Sequence, residues 1–210
     1  MTILALEFSS ARRSVALARP DGTVLAEAVE QTSGRGTDAL GLIEKALAQV
    51  ALPRDAIEVI AVGLGPGSYT GIRAAIAVAQ GWQLARGTSL LGIGSLEAMA
   101  AQAQAQQRFG LVNLVVDAQR GEFYLATWDI SAAQRREVSP LSIVPASEVA
   151  DRQAAGSICV GPEMNPPLFP AAAALATLAA ARSDFLPGQL LQPIYLRQTA
   201  FLKSPASRTV

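Results

Sequence analysis

Three features of this chain could do chemistry: two carboxylates and a glycine-rich turn. Glu7 closes the apolar run at residues 2–6, and Asp117 closes a second run at 111–116. Gly65-Pro66-Gly67-Ser68-Tyr69-Thr70-Gly71-Ile72-Arg73 follows a third run at 57–64. Two acids brought together could hold Mg²⁺. A turn through Gly65 and Gly67 into a helix could offer free amides to a phosphate. Such a site would make the chain a stand-alone ATPase or phosphotransferase, with Glu7 and Asp117 around Mg-ATP. The glycine turn is not a P-loop, because no Gly-Lys-Ser/Thr follows it. It also misses dinucleotide-binding spacing, since the third glycine falls at Gly71 instead of one residue earlier. Histidine is absent. That removes His-ligated zinc, the Ser-His-Asp triad and any imidazole base.

The elements that would position these residues follow from the apolar pattern. Residues 2–8, 14–19 and 23–30 read as a three-stranded antiparallel meander, with a Pro20-Asp21-Gly22 turn between the last two. Thr37 or Asp38 caps a helix to about Val50, with Leu40, Ile43, Leu47 and Val50 on one stripe. After the strand at 57–64, Ser68 and Thr70 are candidate caps for a helix running to about Arg86. A short strand at 89–93 and a helix capped by Ser95 complete the first half. At residue 111 the pattern restarts: a buried strand ending in Asp117, a turn, and strands at 122–129 and 141–144. Glu7 and Asp117 thus occupy matching places 110 residues apart, which suggests a duplicated unit. A strand at 157–161, an alanine-rich helix near 171–182, an extended segment at 187–193 and a last strand at 194–197 follow.

Composition narrows the classes. Seventeen basic and seventeen acidic residues cancel, so no net field draws the chain to nucleic acid. Half of the chain is apolar but only 5% of it is aromatic, with alanine making up the difference. This favours closely packed helices over a large greasy pocket. No apolar run reaches the ~18–20 residues that cross a bilayer. There is no charged leader, and Cys159 has no cysteine to pair with. A cytoplasmic protein without bound cofactor is expected.

The segments ILALEFSS, GLGPGSYTGIRAAIAVAQG, VVDAQRGEFYLA and QPIYLRQTAFLK resemble the bacterial TsaB (YeaZ) family. The resemblance implies an α/β, actin-like (ribonuclease H-like) fold of two related subdomains, each a mixed sheet flanked by helices. Their expected bounds are 1–108 and 109–203, with a disordered tail at 204–210. It also implies a non-catalytic subunit of tRNA N6-threonylcarbamoyladenosine synthesis. Such a subunit binds the catalytic TsaD homologue, joins a TsaE ATPase in a larger complex, homodimerises when alone, and touches tRNA weakly or indirectly. Two departures matter. Relatives usually end the first strand in aspartate, where this chain has Glu7, and many carry a histidine near Gly36-Thr37. Both count against an intact metal–nucleotide site.

The helix after the glycine turn fits that role. It is small and apolar around most of its circumference, so it needs neighbours on several sides. The expected partner-binding residues are Ser68, Tyr69, Thr70, Ile72, Arg73, Ala75, Ile76, Ala79 and Trp82, joined by Leu40 and Ile43. A bulky charge at Ala75 or Ala79 is expected to break the interface without unfolding the chain. Glu7, Asp117, Gly65 and Gly67 remain the residues of a possible nucleotide or metal site.

Overall fold

The computed structural model describes residues 2–32, 36 and 38–196. The expected cap at Thr37, the residue Arg197 and the tail from 204 lie outside these. Nine strands and five helices follow one another in the described residues. β1 (Thr2–Glu7), β2 (Arg12–Ala18) and β3 (Val24–Gln31) form the meander, and α1 (Ala39–Gln49), β4 (Ile57–Gly63), α2 (Tyr69–Arg86), β5 (Ser89–Ile93) and α3 (Ser95–Ala105) follow. Then come β6 (Gly110–Gln119), β7 (Glu122–Ile130), β8 (Arg135–Pro145), α4 (Ala146–Ala154), β9 (Ile158–Val160) and α5 (Ala172–Ala180).

The strands build two mixed sheets, ordered β3-β2-β1-β4-β5 and β8-β7-β6-β9. In the first, β1 runs antiparallel to β2 and parallel to β4. In the second, β6 runs antiparallel to β7 and parallel to β9. The second sheet therefore repeats the first up to its fourth strand, with Glu7 and Asp117 near the ends of equivalent strands. This is the actin-like arrangement, an α/β fold of two related units.

Alternation along the strands sends side chains to opposite faces. Leu4, Leu6, Val15, Leu17, Ile60 and Val62 meet α1 and α2 on one face of the first sheet. Ile3, Ala5, Ala16, Ala18, Val59 and Ala61 meet α5 on the other. In contrast, α3 lays Leu96, Met99, Ala100 and Ala103 on the second sheet. The two units thus exchange helices, because each sheet needs cover that its own half of the chain does not supply. The expected boundary near 108 separates the sheets but not the packing: α5 and residues 186–194 belong physically with the first sheet.

Some local expectations change. α4 was not anticipated, and β8 is longer than the 141–144 expected because its charged, exposed edge carries little apolar alternation. Ser95 is the first residue of α3 and not its cap, which is Gly94. Residues 194–196 form no strand; Ile194 N–H instead donates to the Leu64 carbonyl at 2.9 Å.

The glycine turn is fixed by backbone packing against the β1–β2 corner. Ser68 N–H donates to the Ser9 carbonyl at 2.6 Å. A Cβ on Gly67 (φ +145°) would overlap that same carbonyl, and one on Gly71 would overlap the Phe8 carbonyl. Gly81, in the middle of α2, has open space around it. Gly71→Ala should therefore lower the unfolding free energy by about 2–4 kcal/mol. Gly81→Ala in the same helix should raise it by about 0.5–1 kcal/mol. Denaturant titration of both variants checks the contrast.

Candidate functional site

Glu7 is fully buried at the end of β1. Ser9 N–H donates to its Oε1 at 2.8 Å, and the Ser95 hydroxyl donates to its Oε2 at 2.8 Å. Ser95 Oγ in turn accepts from Gly65 N–H at 3.1 Å, and Ser95 N–H donates to the Gly65 carbonyl at 2.8 Å. The absence of a side chain on Gly63 leaves the room that the longer acid fills. Glu7 therefore ties β1, β4, the glycine turn and α3 together. Burial pushes its carboxyl up from an ordinary 4.5, partly offset by the bonds from Ser9 and Ser95.

Asp117 lies elsewhere, in a crevice between the two sheets. Ser9, Ser10, Gln31, Gly67, Tyr69, Asp117, Gln119, Tyr124, Glu163 and Phe169 line it among others. Asp117 accepts from Gln119 N–H at 2.7 Å and from Gln119 Nε2 at 2.5 Å, which holds it against its own turn. Burial pushes the Glu163 carboxyl up, and the charge of Asp117 adds to that. Neither lysine nor arginine lines the crevice among the described residues. Among the described residues, no group of three acidic, cysteine or histidine side chains could hold a metal. Of the two acids expected around Mg-ATP, Glu7 is sealed in the core, while Asp117 lines a crevice that carries, among the described residues, two carboxylates and no lysine or arginine. Of the remaining candidates for that site, Gly67 lines the crevice, while Gly65 is buried beside Ser95.

The partner-binding candidates divide as sharply. Ile43, Ile72, Ala75 and Ala79 have no exposed surface and Ile76 has 6%, because they form the seam of α1 and α2 on their own sheet. They cannot contact a partner directly, and a bulky charge at Ala75 or Ala79 would disrupt the core. Ser68 is half-buried and caps α2, accepting from Gly71 N–H at 3.4 Å. Tyr69, Thr70, Arg73 and Leu40 are exposed, and Trp82 is half-buried.

Between α1 and α2 runs an apolar groove walled by Leu40, Ala77, Val78, Gly81, Trp82 and Ala85. Arg54 and Arg86 border it, paired at 2.5 Å with Glu44 and Asp55. Leu84 stands beside it, 89% exposed. The outer residues Ala77, Gly81, Leu84 and Ala85 escaped the sequence reading as a group. Their spacing was the available signal: the greasier stripe Ile72–Ala75–Ile76–Ala79 belongs to the core, which leaves the small residues outside.

The raised carboxyl of Glu7 makes stability depend on pH with a definite sign. Below about 4.5 the group is protonated in both folded and unfolded chains, and its contribution is full. As pH rises, the unfolded chain ionises first, so stability is lost up to the folded value. Glu7→Gln removes this loss. Its melting temperature relative to the unsubstituted protein should climb between pH 4 and pH 8, whereas a pH-independent difference would mean an already ionised Glu7.

Comparison with known proteins agrees with the architecture. The family model for TsaD, tRNA N6-adenosine threonylcarbamoyltransferase, matches residues 36–156. The tRNA threonylcarbamoyladenosine biosynthesis protein TsaB of Haemophilus influenzae is 32% identical over 127 residues, 60% of this chain and 53% of that protein. The TsaB of Escherichia coli is 33% identical over 128 residues, 61% of this chain and 55% of that protein. The matched stretch thus spans little more than half the length of these relatives. The solved structure of YeaZ from Pseudomonas aeruginosa superposes with a TM-score of 0.79 at 25% identity, covering 93% of this chain and 99% of that one. With its paired mixed sheets and its glycine turn packed on the β1–β2 corner, the chain belongs to the TsaB (YeaZ) family.

Proposed function

We propose that this protein is a non-catalytic subunit of tRNA N6-threonylcarbamoyladenosine synthesis, which binds a TsaD homologue through α1 and α2 and supports its activity. The observation that carries this reading is the α1–α2 groove. It is apolar, lined by small residues, open to solvent, and bordered by two arginines already neutralised by acids. A helix of the partner could approach α2 closely over Ala77 and Gly81, near the ~8 Å end of helix packing distances. Trp82 and Leu40 supply the larger apolar contacts, and aromatic anchors dominate such interfaces. The named pathway of the relatives, tRNA threonylcarbamoyladenosine biosynthesis, supplies the chemistry that such a subunit would serve. In the absence of that partner, the same face would close on a second copy of this chain.

The crevice, lined among the described residues by Asp117 and Glu163 and by no lysine or arginine, favours this reading over a stand-alone ATPase. Its carboxylates repel phosphate, and the acid that would complete a metal site is committed to the core. Arginine at Gly81 tests the interface where an added Cβ would meet nothing within 4 Å. Gly81→Arg should keep the melting temperature within a few degrees. It should also abolish co-purification with the TsaD homologue and cut threonylcarbamoyladenosine formation in the reconstituted reaction at least tenfold. Unchanged co-purification of the folded variant would rule out this face.

A further inference from the structure

The last described stretch of chain forms a strap across the side of α2 away from α1. Leu186 N–H donates to the Leu90 carbonyl at 2.9 Å. Gln80 Nε2 donates to the Gly188 carbonyl at 2.8 Å, and Gly188 N–H donates to Gln83 Oε1 at 2.7 Å. Leu191 is buried in the core beneath α2. The strap then turns to the start of the helix, where Tyr195 stacks on Tyr69 with ring centroids 5.4 Å apart and planes at 24°. One turn further, Arg73 donates to the Tyr69 hydroxyl at 3.0 Å and holds its guanidinium 5.2 Å from the Tyr69 ring centroid.

This stack is out of proportion to any role in the core. Tyr69 is 53% exposed and Tyr195 is 46% exposed, so their contact buries little apolar surface. What it does is join the far end of the strap to the first residue of α2. The first turn of α2 contains no acid to complement its free amides, and its cap bond is long. The strap also walls a second groove along α2, lined by Arg73, Ala74, Ile76, Ala77, Gln80, Leu191 and Pro193. Ala77 borders both grooves. The ridge of α2 is therefore presented between α1 on one side and the strap on the other.

Resting on the interface reading above, we infer that Tyr195 is a positioning residue for partner docking. Its stack on Tyr69, whose ring Arg73 also holds, fastens the strap to the first turn of α2, so the partner meets a preset ridge and does not have to order it. Losing a preset geometry weakens binding without removing a contact.

The test compares Tyr195→Ala, Tyr195→Phe and Gly81→Arg in the full chain, measuring affinity for the TsaD homologue and hydrogen exchange of the free protein. Tyr195→Ala, at a half-exposed site, should keep its melting temperature within a few degrees. It should bind about three- to tenfold more weakly, the range that one aromatic pair provides. Amides of residues 70–73 should exchange faster in that variant. Tyr195→Phe, which keeps the ring, should stay within about twofold of the unsubstituted chain in affinity. Unaltered affinity and exchange in Tyr195→Ala, with binding lost in Gly81→Arg, would overturn the positioning role alone. Full binding by Gly81→Arg would overturn the interface reading. In that case the exchange at 70–73 would still report whether the stack fastens the helix.

Discussion

The contact on which the first sheet and α2 both depend is the seating of the glycine turn on the β1–β2 corner. Two main chains approach there until no Cβ fits between them, with Ser68 N–H bonded to the Ser9 carbonyl. Behind the contact lies a carboxyl group that water cannot reach. Glu7 gathers the amide of Ser9 and the hydroxyl of Ser95, and Ser95 collects the turn through Gly65. A buried carboxyl group is costly unless it is hydrogen-bonded. The donors come from elements distant in sequence, so the acid only fits when β1, the turn and α3 are all in place. The rigid launch of α2 follows from that.

This arrangement uses the place where related geometries could hold phosphate for another purpose. The Gly65 and Ser68 amides and the Ser95 hydroxyl are engaged with the protein itself, and the acid of β1 is an internal tie. The crevice beyond it keeps Asp117 and Glu163 without a neighbouring cation among its lining residues. What the molecule offers outward is a helical face, small-sided and apolar, held between α1 and the C-terminal strap. The buried side chains of Glu7 and Ser95 fasten elements to one another.

Much of this was legible in the residues. The restart of the strand pattern at 111 reflects a second sheet that repeats the order of the first up to its fourth strand, and the glycine spacing marked a tight turn into a helix. The direction of each side chain was less legible. Ile72, Ala75, Ile76 and Ala79 look like interface residues in a helix apolar all round, but only the sheet beneath α2 decides which stripe is inside. Glu7 likewise reads as a candidate ligand until Ser9 and Ser95 are seen to satisfy it. The exchange of α3 and α5 between the sheets leaves no local trace, since it depends on which sheet lacks cover. Edge strand β8 and helix α4 were obscured by charge and exposure, which weaken the apolar periodicity that reveals buried elements.

The central claim is that the outer face of α1 and α2 is the working surface. Hydrogen exchange of this chain with and without the TsaD homologue tests it most directly. The account predicts slowed exchange in the exposed parts of α1 and in residues 77–86 of α2, with residues 116–119 of the crevice unchanged. Protection confined to the crevice, with the helices untouched, would contradict it.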